Sequence, residues 1–381
     1  MIGQTNDVPL TWHMLTHRKG RLLLSVLGIA FAVLLMFMQL GFLTGLFDSQ
    51  TLAIRLFDAD LLIVNRTRHN ITTEESFPKS RIIQARDVPG VASTTGIYAD
   101  NLLWRNPENG RQDVIRVIGI DPADPPFQID EVRTQSRLLE EPMTILFDRD
   151  SRYFFGTPSA GTLAELGNQR VKVVGSFPLG ADFKNDGNLI TSYSTYRLLF
   201  PLQSDREMAV GLVRLEPGAN IEEVRIALTE SLPDDVLVYT IDAYDRLERR
   251  FWSKMTPTGF IFTLGLVVGF AIGVMICYQI LYNEINDHLP QFATMKAIGF
   301  SDRYLVGVVM REAFLLSLLG LIPALFASQA FYSIMIRLSG LHMELTPFRI
   351  LLVSGLTMVM CIISGLIAVG RVIKADPAEV F

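Results

Sequence analysis

The sequence predicts an α-helical membrane protein with four transmembrane helices plus a large α+β extracytoplasmic domain inserted between helices 1 and 2. Three observations carry this expectation. Four long stretches are nearly free of charge, 22–47, 257–283, 304–336 and 350–370. Each suits a helix of about 20 residues, the length that crosses a bilayer. A polar stretch of ordinary globular composition, 48–254, lies between the first and the second. The 381 residues are 49% hydrophobic and 19% charged, with a mean hydropathy of +0.32. That is too apolar for an ordinary soluble protein whose charges are spread evenly.

The N-terminal segment, 1–21, carries Leu10, Trp12, Met14 and Leu15 among polar residues, with Pro9 near its start. Val8–His17 is therefore either a short interfacial helix on the inner leaflet or a simple extension of the first span. The first span, 22–47, follows Arg18, Lys19 and Arg21, as a signal peptide's apolar core would. It is longer than the 7–15 residues of such a core, and no cleavage site follows Phe42, so it reads as an uncleaved anchor. The same cations place the N-terminus in the cytoplasm. Arg371 and Lys374 place the C-terminus there too, as an even number of spans requires. Arg246, Arg249, Arg250 and Lys254 oppose this orientation from the outer side, although the rule discounts long translocated domains.

The outer domain, 48–241, shows strand patterns at Ala59–Asn65, Val114–Ile120, Val171–Ser176 and Met208–Leu215. A turn at 216–220 then leads to a helix over Ile221–Ser231, with Ile221, Val224 and Leu228 on one face, and a strand at Val236–Thr240. This is a β-α-β unit. The loop 121–126, rich in proline and aspartate, reads as a link between two subdomains. Asp242 is placed to cap a stalk helix, 242–256, bearing Tyr244, Leu247 and Phe251 on one face. The second span, 257–283, follows.

Residues 284–303 turn and form a short second helix before the next apolar run. Pro290 suits a helix start, Gly299 can end that helix, and Ser301 can cap the next. The third span, 304–338, has Gly320 and Pro323 near its middle, where a kink or break is expected. An outer loop, 339–348, the fourth span, 349–370, and a cytoplasmic tail, 371–381, complete the chain.

Chemistry is thinly represented. A net charge of −5 and the lack of a basic stripe with interleaved aromatics argue against nucleic acid. No phosphate-binding G-x-x-x-x-G-K-[ST], no H-E-x-x-H and no G-x-S-x-G occurs, and the five histidines are dispersed, so neither a catalytic residue nor a metal or cofactor site is expected. Asp148 with Asp150, and Asp234 with Asp235, read as solvated loop carboxylates. Cys277 and Cys361 lie in apolar runs and read as buried small hydrophobes; the outer domain has no cysteine. The second span holds no acid, base or histidine over 257–282, and the fourth has none over 350–369, which speaks against a polar route through the membrane. Arg311 and Glu312 are adjacent on one helix and do not face each other. The spans read as levers. Gly265, Gly269 and Gly273 recur every four residues on the second span, as do Gly41 and Gly45 on the first. Such spacing lets helix backbones approach closely, within one chain or between two.

One span, a large outer domain, a stalk into three further spans and a bend after the second span together resemble the MacB/FtsX superfamily of ABC transporter permeases. The residues that carry the resemblance are Gly28–Phe42, Glu284–Gly299 and Ala375–Glu379. More narrowly the chain is similar to the DevC-type permeases of cyanobacteria. The resemblance implies a homodimeric mechanotransmission subunit of the inner (plasma) membrane, with no enzyme activity or cofactor of its own. ATP and Mg would be handled by a separate cytoplasmic ABC ATPase. It further implies a periplasmic membrane-fusion protein, a TolC-like outer-membrane duct and export of glycolipid or similar lipid-like cargo. The ATPase-docking segment then maps to Glu284, Ile285, Asp287, His288, Leu289, Pro290, Phe292, Met295, Lys296, Ile298 and Gly299, with Phe292, Met295 and Ile298 as its apolar contact face. An FtsX-like regulator of a periplasmic enzyme and a lipoprotein-releasing permease share the architecture and stand as alternatives.

Overall fold

A computed structural model describes residues 19–68, 75–182, 184–202, 207–339 and 343–374; the Val8–His17 segment and the tail from 375 lie outside the described residues. In chain order the first half forms α1 (Lys19–Arg55), β1 (Leu61–Asn65), β2 (Phe77–Pro78), α2 (Ser80–Arg86), β3 (Val91–Arg105), β4 (Gln112–Ile120), α3 (Asp130–Gln135) and β5 (Thr144–Asp148). Next come β6 (Leu163–Leu166), β7 (Gln169–Phe177), β8 (Asn188–Ser192), α4 (Tyr193–Leu199), β9 (Glu207–Met208), β10 (Val210–Leu215), α5 (Ile221–Ser231) and β11 (Val236–Thr240). The remainder is helical: α6 (Ile241–Lys254), α7 (Pro257–Asp287), α8 (Leu289–Ala297), α9 (Asp302–Ser339) and α10 (Pro347–Lys374). Two compact units result. Among the described residues one is helical, 19–44 with 258–335 and 343–374; the other is mixed, 45–257 with 336–339.

The mixed unit is built on one sheet of order β11-β1-β10-β3-β4-β8-β5-β7-β6, in which β6 also returns to pair with β3. That return, Trp104 opposite Leu166 and Arg105 opposite Glu165, closes the last six strands into a small barrel. The long strand β3 belongs to both halves: Val91–Ile97 pairs with β10, and Tyr98–Arg105 pairs with β4. The two subdomains are therefore joined by a shared strand, not by the 121–126 loop as expected. A continuous strand transmits position better than a loop, because its backbone is held by ladders on both sides. Loop 121–126 is instead pinned to the first half, where Asp124 accepts from Arg214 at 2.6 Å and Asp58 N–H donates to the Pro126 carbonyl at 2.8 Å.

Period-two alternation explains the layers. On β1, Leu61 and Ile63 cluster with Ile82, Val224 and Leu228, while Leu62 and Val64 cluster with Ile54, Phe127 and Tyr244. The β10-α5-β11 unit forms as its turn chemistry predicts. Gly218 takes the left-handed conformation at φ +87°, and Asn220 caps α5 by accepting from Glu222 N–H at 3.0 Å. β10 and β11 flank β1, each antiparallel to it, so the unit is a split β-α-β. The barrel interior holds Trp104, fully buried, whose indole N–H donates to the Phe155 carbonyl at 3.0 Å.

Among the described residues, four helices are long and apolar enough to cross a membrane: α1, α7, α9 and α10. The expected break at Pro323 is absent, and α9 is helical through it from Asp302 to Ser339. Gly320 instead serves close packing, since a Cβ there would meet Ile29 of α1 at 2.5 Å. The glycine faces act within the chain. A Cβ at Gly265 would meet Gln39 at 2.6 Å, one at Gly269 would touch Leu35 and Met36, and one at Gly273 would reach Ala32 at 3.1 Å and overlap Met360. Gly41 faces Tyr332 of α9, whose hydroxyl donates to the Phe37 carbonyl at 2.5 Å. Gly45 accepts from Ser49 through its carbonyl. Replacing Gly41 with valine should displace the Tyr332 ring and break that bond. The expected loss is on the order of 2–4 kcal/mol, read as a lowered unfolding temperature of the detergent-solubilised protein.

Candidate functional site

Two places combine local design with exposure: the bend after α7 and the junction of α1 with α6. The bend is built as its sequence dictates. His288 breaks the helix after Asp287, and its own N–H still donates to the Glu284 carbonyl at 3.1 Å. Pro290 occupies the first turn of α8, where its missing N–H costs nothing. Gly299 sits at φ +103°; its N–H donates to the Lys296 carbonyl and that of Phe300 to Met295, both at 3.1 Å. This pair of bonds is a Schellman motif, the stop that the glycine predicts. Ser301 then caps α9 through its hydroxyl, which accepts from Tyr304 N–H at 3.4 Å. Lys296 pairs with Asp302 at 3.2 Å, fastening the end of α8 to the start of α9. Asp287 pairs with Arg21 of α1.

Burial divides the predicted docking residues. Phe292 is 1% exposed and lies in the bundle core with Ile285, Leu305 and Val309. Met295 and Leu289 pack half-buried against the same core. Phe292 cannot share an exposed contact face with Ile298, contrary to the sequence expectation. A helix of nine residues needs an apolar anchor to stay seated, and Phe292 supplies it. The outward surface is instead Pro290, Gln291, Thr294, Ala297, Ile298 and Gly299, with Ile298 73% exposed. Glu284 is buried, with its carboxylate 3.5 Å from His288 Nε2; His288 Nδ1 lies 2.6 Å from Gln291 Oε1. In the sequence Glu312 reads only as the neighbour of Arg311 that does not face it. It is 2% exposed, and its Oε1 has no hydrogen-bond partner among the described residues.

The second place was not foreseen. α1 does not end at 47, where the sequence places the end of the first span, but runs on to Arg55. There Arg55 forks onto Asp245 of α6, with Nε at 2.9 Å and a terminal nitrogen at 3.1 Å. Arg249 donates to Asp245 at 3.0 Å, to Asp48 at 2.7 Å and to Thr51 at 3.1 Å. Burial alone would raise the Asp245 carboxyl, but Arg55, Thr51 and Arg249 outweigh it and hold it below the usual carboxylate range. The cap of α6 is Thr240, whose hydroxyl accepts from Ala243 N–H at 3.1 Å; Asp242 is exposed and does not cap it. The only clue in the sequence is the acid at 245 amid basic neighbours, one helical turn before Arg249.

The paired aspartates have structural work. Asp148 is buried, accepting from Asn188 at 2.6 Å and from the N–H groups of Leu179 and Gly180. Burial pushes its carboxyl up against these donors. Asp235 receives Arg81 at 2.9 Å, and Asp234 lies 3.8 Å from Arg66. Among the described residues no cluster of three metal-ligating side chains forms. The bend and the junction offer attachment and rigidity, and the Glu284–His288 contact ties the last turn of α7 to the bend.

Two family models match the chain. A model of the MacB-like periplasmic core domain matches residues 22–231, and a model of the FtsX-like permease C-terminal region matches residues 255–377. No curated protein matches. Among solved structures, the periplasmic region of MacB from Actinobacillus actinomycetemcomitans is 14% identical with a TM-score of 0.36, covering 50% of this chain and 92% of that one. The extracellular domain of the noncanonic ABC-type transporter YknZ from Gram-positive bacteria is 14% identical with a TM-score of 0.33, covering 48% and 99%. A domain of a putative permease protein from Porphyromonas gingivalis is 14% identical with a TM-score of 0.30, covering 47% and 87%. At these scores the structural likenesses carry no argument by themselves.

Proposed function

The chain belongs to the MacB-like periplasmic core domain family, here joined to an FtsX-like permease C-terminal region, and from that premise we propose that it couples a separate ATPase to an extracytoplasmic task. It is a multi-pass membrane protein of ABC-transporter permease type with an extracytoplasmic domain. Permeases of this family generally work with a cytoplasmic ABC ATPase and do not hydrolyse ATP themselves. The finer reading is a DevC-type exporter subunit, homodimeric, with both termini in the cytoplasm. It would pair with a membrane-fusion protein and a TolC-like duct to export glycolipid or similar cargo.

The observation that supports this reading is α8. A short helix is seated by a buried phenylalanine, ended by a Schellman glycine and fastened by Lys296–Asp302, while Pro290, Gln291, Thr294 and Ile298 face outward. Such a helix moves as a body when pushed. Its push passes into α7 and α9, which continue from its two ends. The test is co-expression with candidate ABC ATPase and membrane-fusion subunits from the same genome. The purified chain alone should turn over no ATP, and the ATPase should co-purify with it. Failure of the ATPase to associate rejects the coupling. Capture of a periplasmic hydrolase in place of a fusion protein favours the FtsX-like regulator, and lipoprotein trapped on the outer domain favours lipoprotein release.

A further inference from the structure

Four cations precede the second span on the side where the charge rule disfavours them, and the structure sorts them into two groups. Arg249 turns inward to Asp245 and Asp48. Arg246, Arg250 and Lys254 are exposed and recur every four residues, so they lie on one face of α6. None of the three has an ion pair among the described residues. The acids of the same helix mostly face elsewhere: Asp245 and Glu248 are buried, and Glu248 accepts from Trp252 at 2.9 Å. Asp242, one turn before Arg246, is exposed but pairs with none of them. A helix with nearly balanced charges thus presents a cationic stripe outward.

Chain connectivity sets where the stripe can be. Only Met255 and Thr256 separate Lys254 from the start of α7, a helix apolar enough to span. That link reaches at most about 11 Å, against a headgroup layer of roughly 5–8 Å on each side of the hydrocarbon. Phe251 and Trp252 flank the cations, and Met255 is 72% exposed. Aromatic and cationic residues at this depth are the usual anchors of a span in the interface.

We propose that Arg246, Arg250 and Lys254 form a binding surface for anionic phospholipid headgroups in the leaflet that receives the α6 end of α7. The surface holds the stalk at a set depth, so that motion of α7 is delivered to the mixed domain and not lost to tilting. Lipid is favoured over an acidic protein because covalent connection alone keeps Lys254 within reach of the headgroups, with Arg250 one turn and Arg246 two turns further along the same face of α6.

The test uses the full-length protein in dodecyl maltoside, titrated with dioctanoyl phosphatidylglycerol or dioctanoyl phosphatidylcholine, with bound lipid counted by native mass spectrometry. Each cation near an anionic surface is worth about fivefold in binding at low salt. The glycerol lipid should therefore bind at least tenfold tighter than the choline lipid, with the advantage collapsing in high salt. R246Q/R250Q/K254Q should remove the preference, and the charge-retaining R246K/R250K should keep it. The control triple K79Q/R86Q/R137Q, exposed cations elsewhere on the mixed unit, should also keep it. Equal affinity for the two lipids, a preference surviving in R246Q/R250Q/K254Q, or an equal loss in the control triple would each overturn the proposal. An acidic partner protein bound without any lipid preference would reassign the stripe to protein docking.

Discussion

Ile298→Asp should leave the protein folded while weakening its association with the ATPase at least tenfold, and Phe292→Asp should instead unfold the bend. The two residues sit on one short helix and are both large and apolar, so their sequence context gives them the same role. Their environments differ completely. Ile298 is exposed, and a charge there alters stability by about 0.5 kcal/mol or less. Removed from a docked interface, the same side chain costs on the order of 2 kcal/mol or more if it is a contact that excludes water. Phe292 has no solvent to turn to, and truncating a buried phenylalanine already costs about 3–5 kcal/mol before any charge is buried. Thermal unfolding in detergent, paired with ATPase pull-down, separates the outcomes. Retained ATPase binding by Ile298→Asp would remove the outward face of α8 from the interface. Loss of binding by Phe292→Asp would show only that the helix had come loose.

The second large effect is expected from Asp245→Ala. This carboxylate is 8% exposed and is the common acceptor for Arg55 and Arg249. Removing it leaves two guanidinium groups facing each other across α1 and α6. Breaking a buried pair costs about 3–5 kcal/mol, reduced here to roughly 2–3 because Arg55 is half in solvent. Asp245→Asn should recover little, since an amide cannot take charge-assisted bonds from both arginines. The pH dependence has a definite sign. A carboxyl held below its usual value when folded stabilises the protein above about pH 4, where it is ionised in both states. That stabilisation is lost as pH falls through the folded value. The wild type should therefore lose stability on acidification more steeply than Asp245→Ala. In the transport reading, Asp245→Ala should also uncouple the machine: ATP turnover continues while export falls. Unchanged export would show that α1 and α6 need not be tied at this point.

Much of the architecture was legible in the sequence because it rests on signals local to a few residues. Charge-free runs of bilayer length mark α1, α7, α9 and α10, since no other solvent tolerates them. Pro290, Gly299 and Ser301 mark the limits of α8, and Gly218 and Asn220 mark the entry to α5, because each fills a backbone requirement that few residues meet. The 221–231 helix and the 236–240 strand follow from periodicity alone. What the local signals could not carry was any choice between partners distant in the chain. The glycine stripe of α7 was open to either an internal or an intermolecular neighbour; Gln39, Met36 and Ala32 of α1 settle it. Phe292, Met295 and Ile298 recur at helical spacing, yet only the packing of Leu305 and Val309 makes the first of them core. β3 was missed because a strand that passes from an open sheet into a barrel changes its buried face midway, which blurs its alternation. Asp245 finds Arg55 across 190 residues. The sequence by itself determined which segments are long and apolar enough to cross a membrane and where helices start and stop, because hydration and backbone geometry act residue by residue. Only the tertiary structure decided which side of each helix faces a neighbour, because that depends on surfaces contributed by distant parts of the chain.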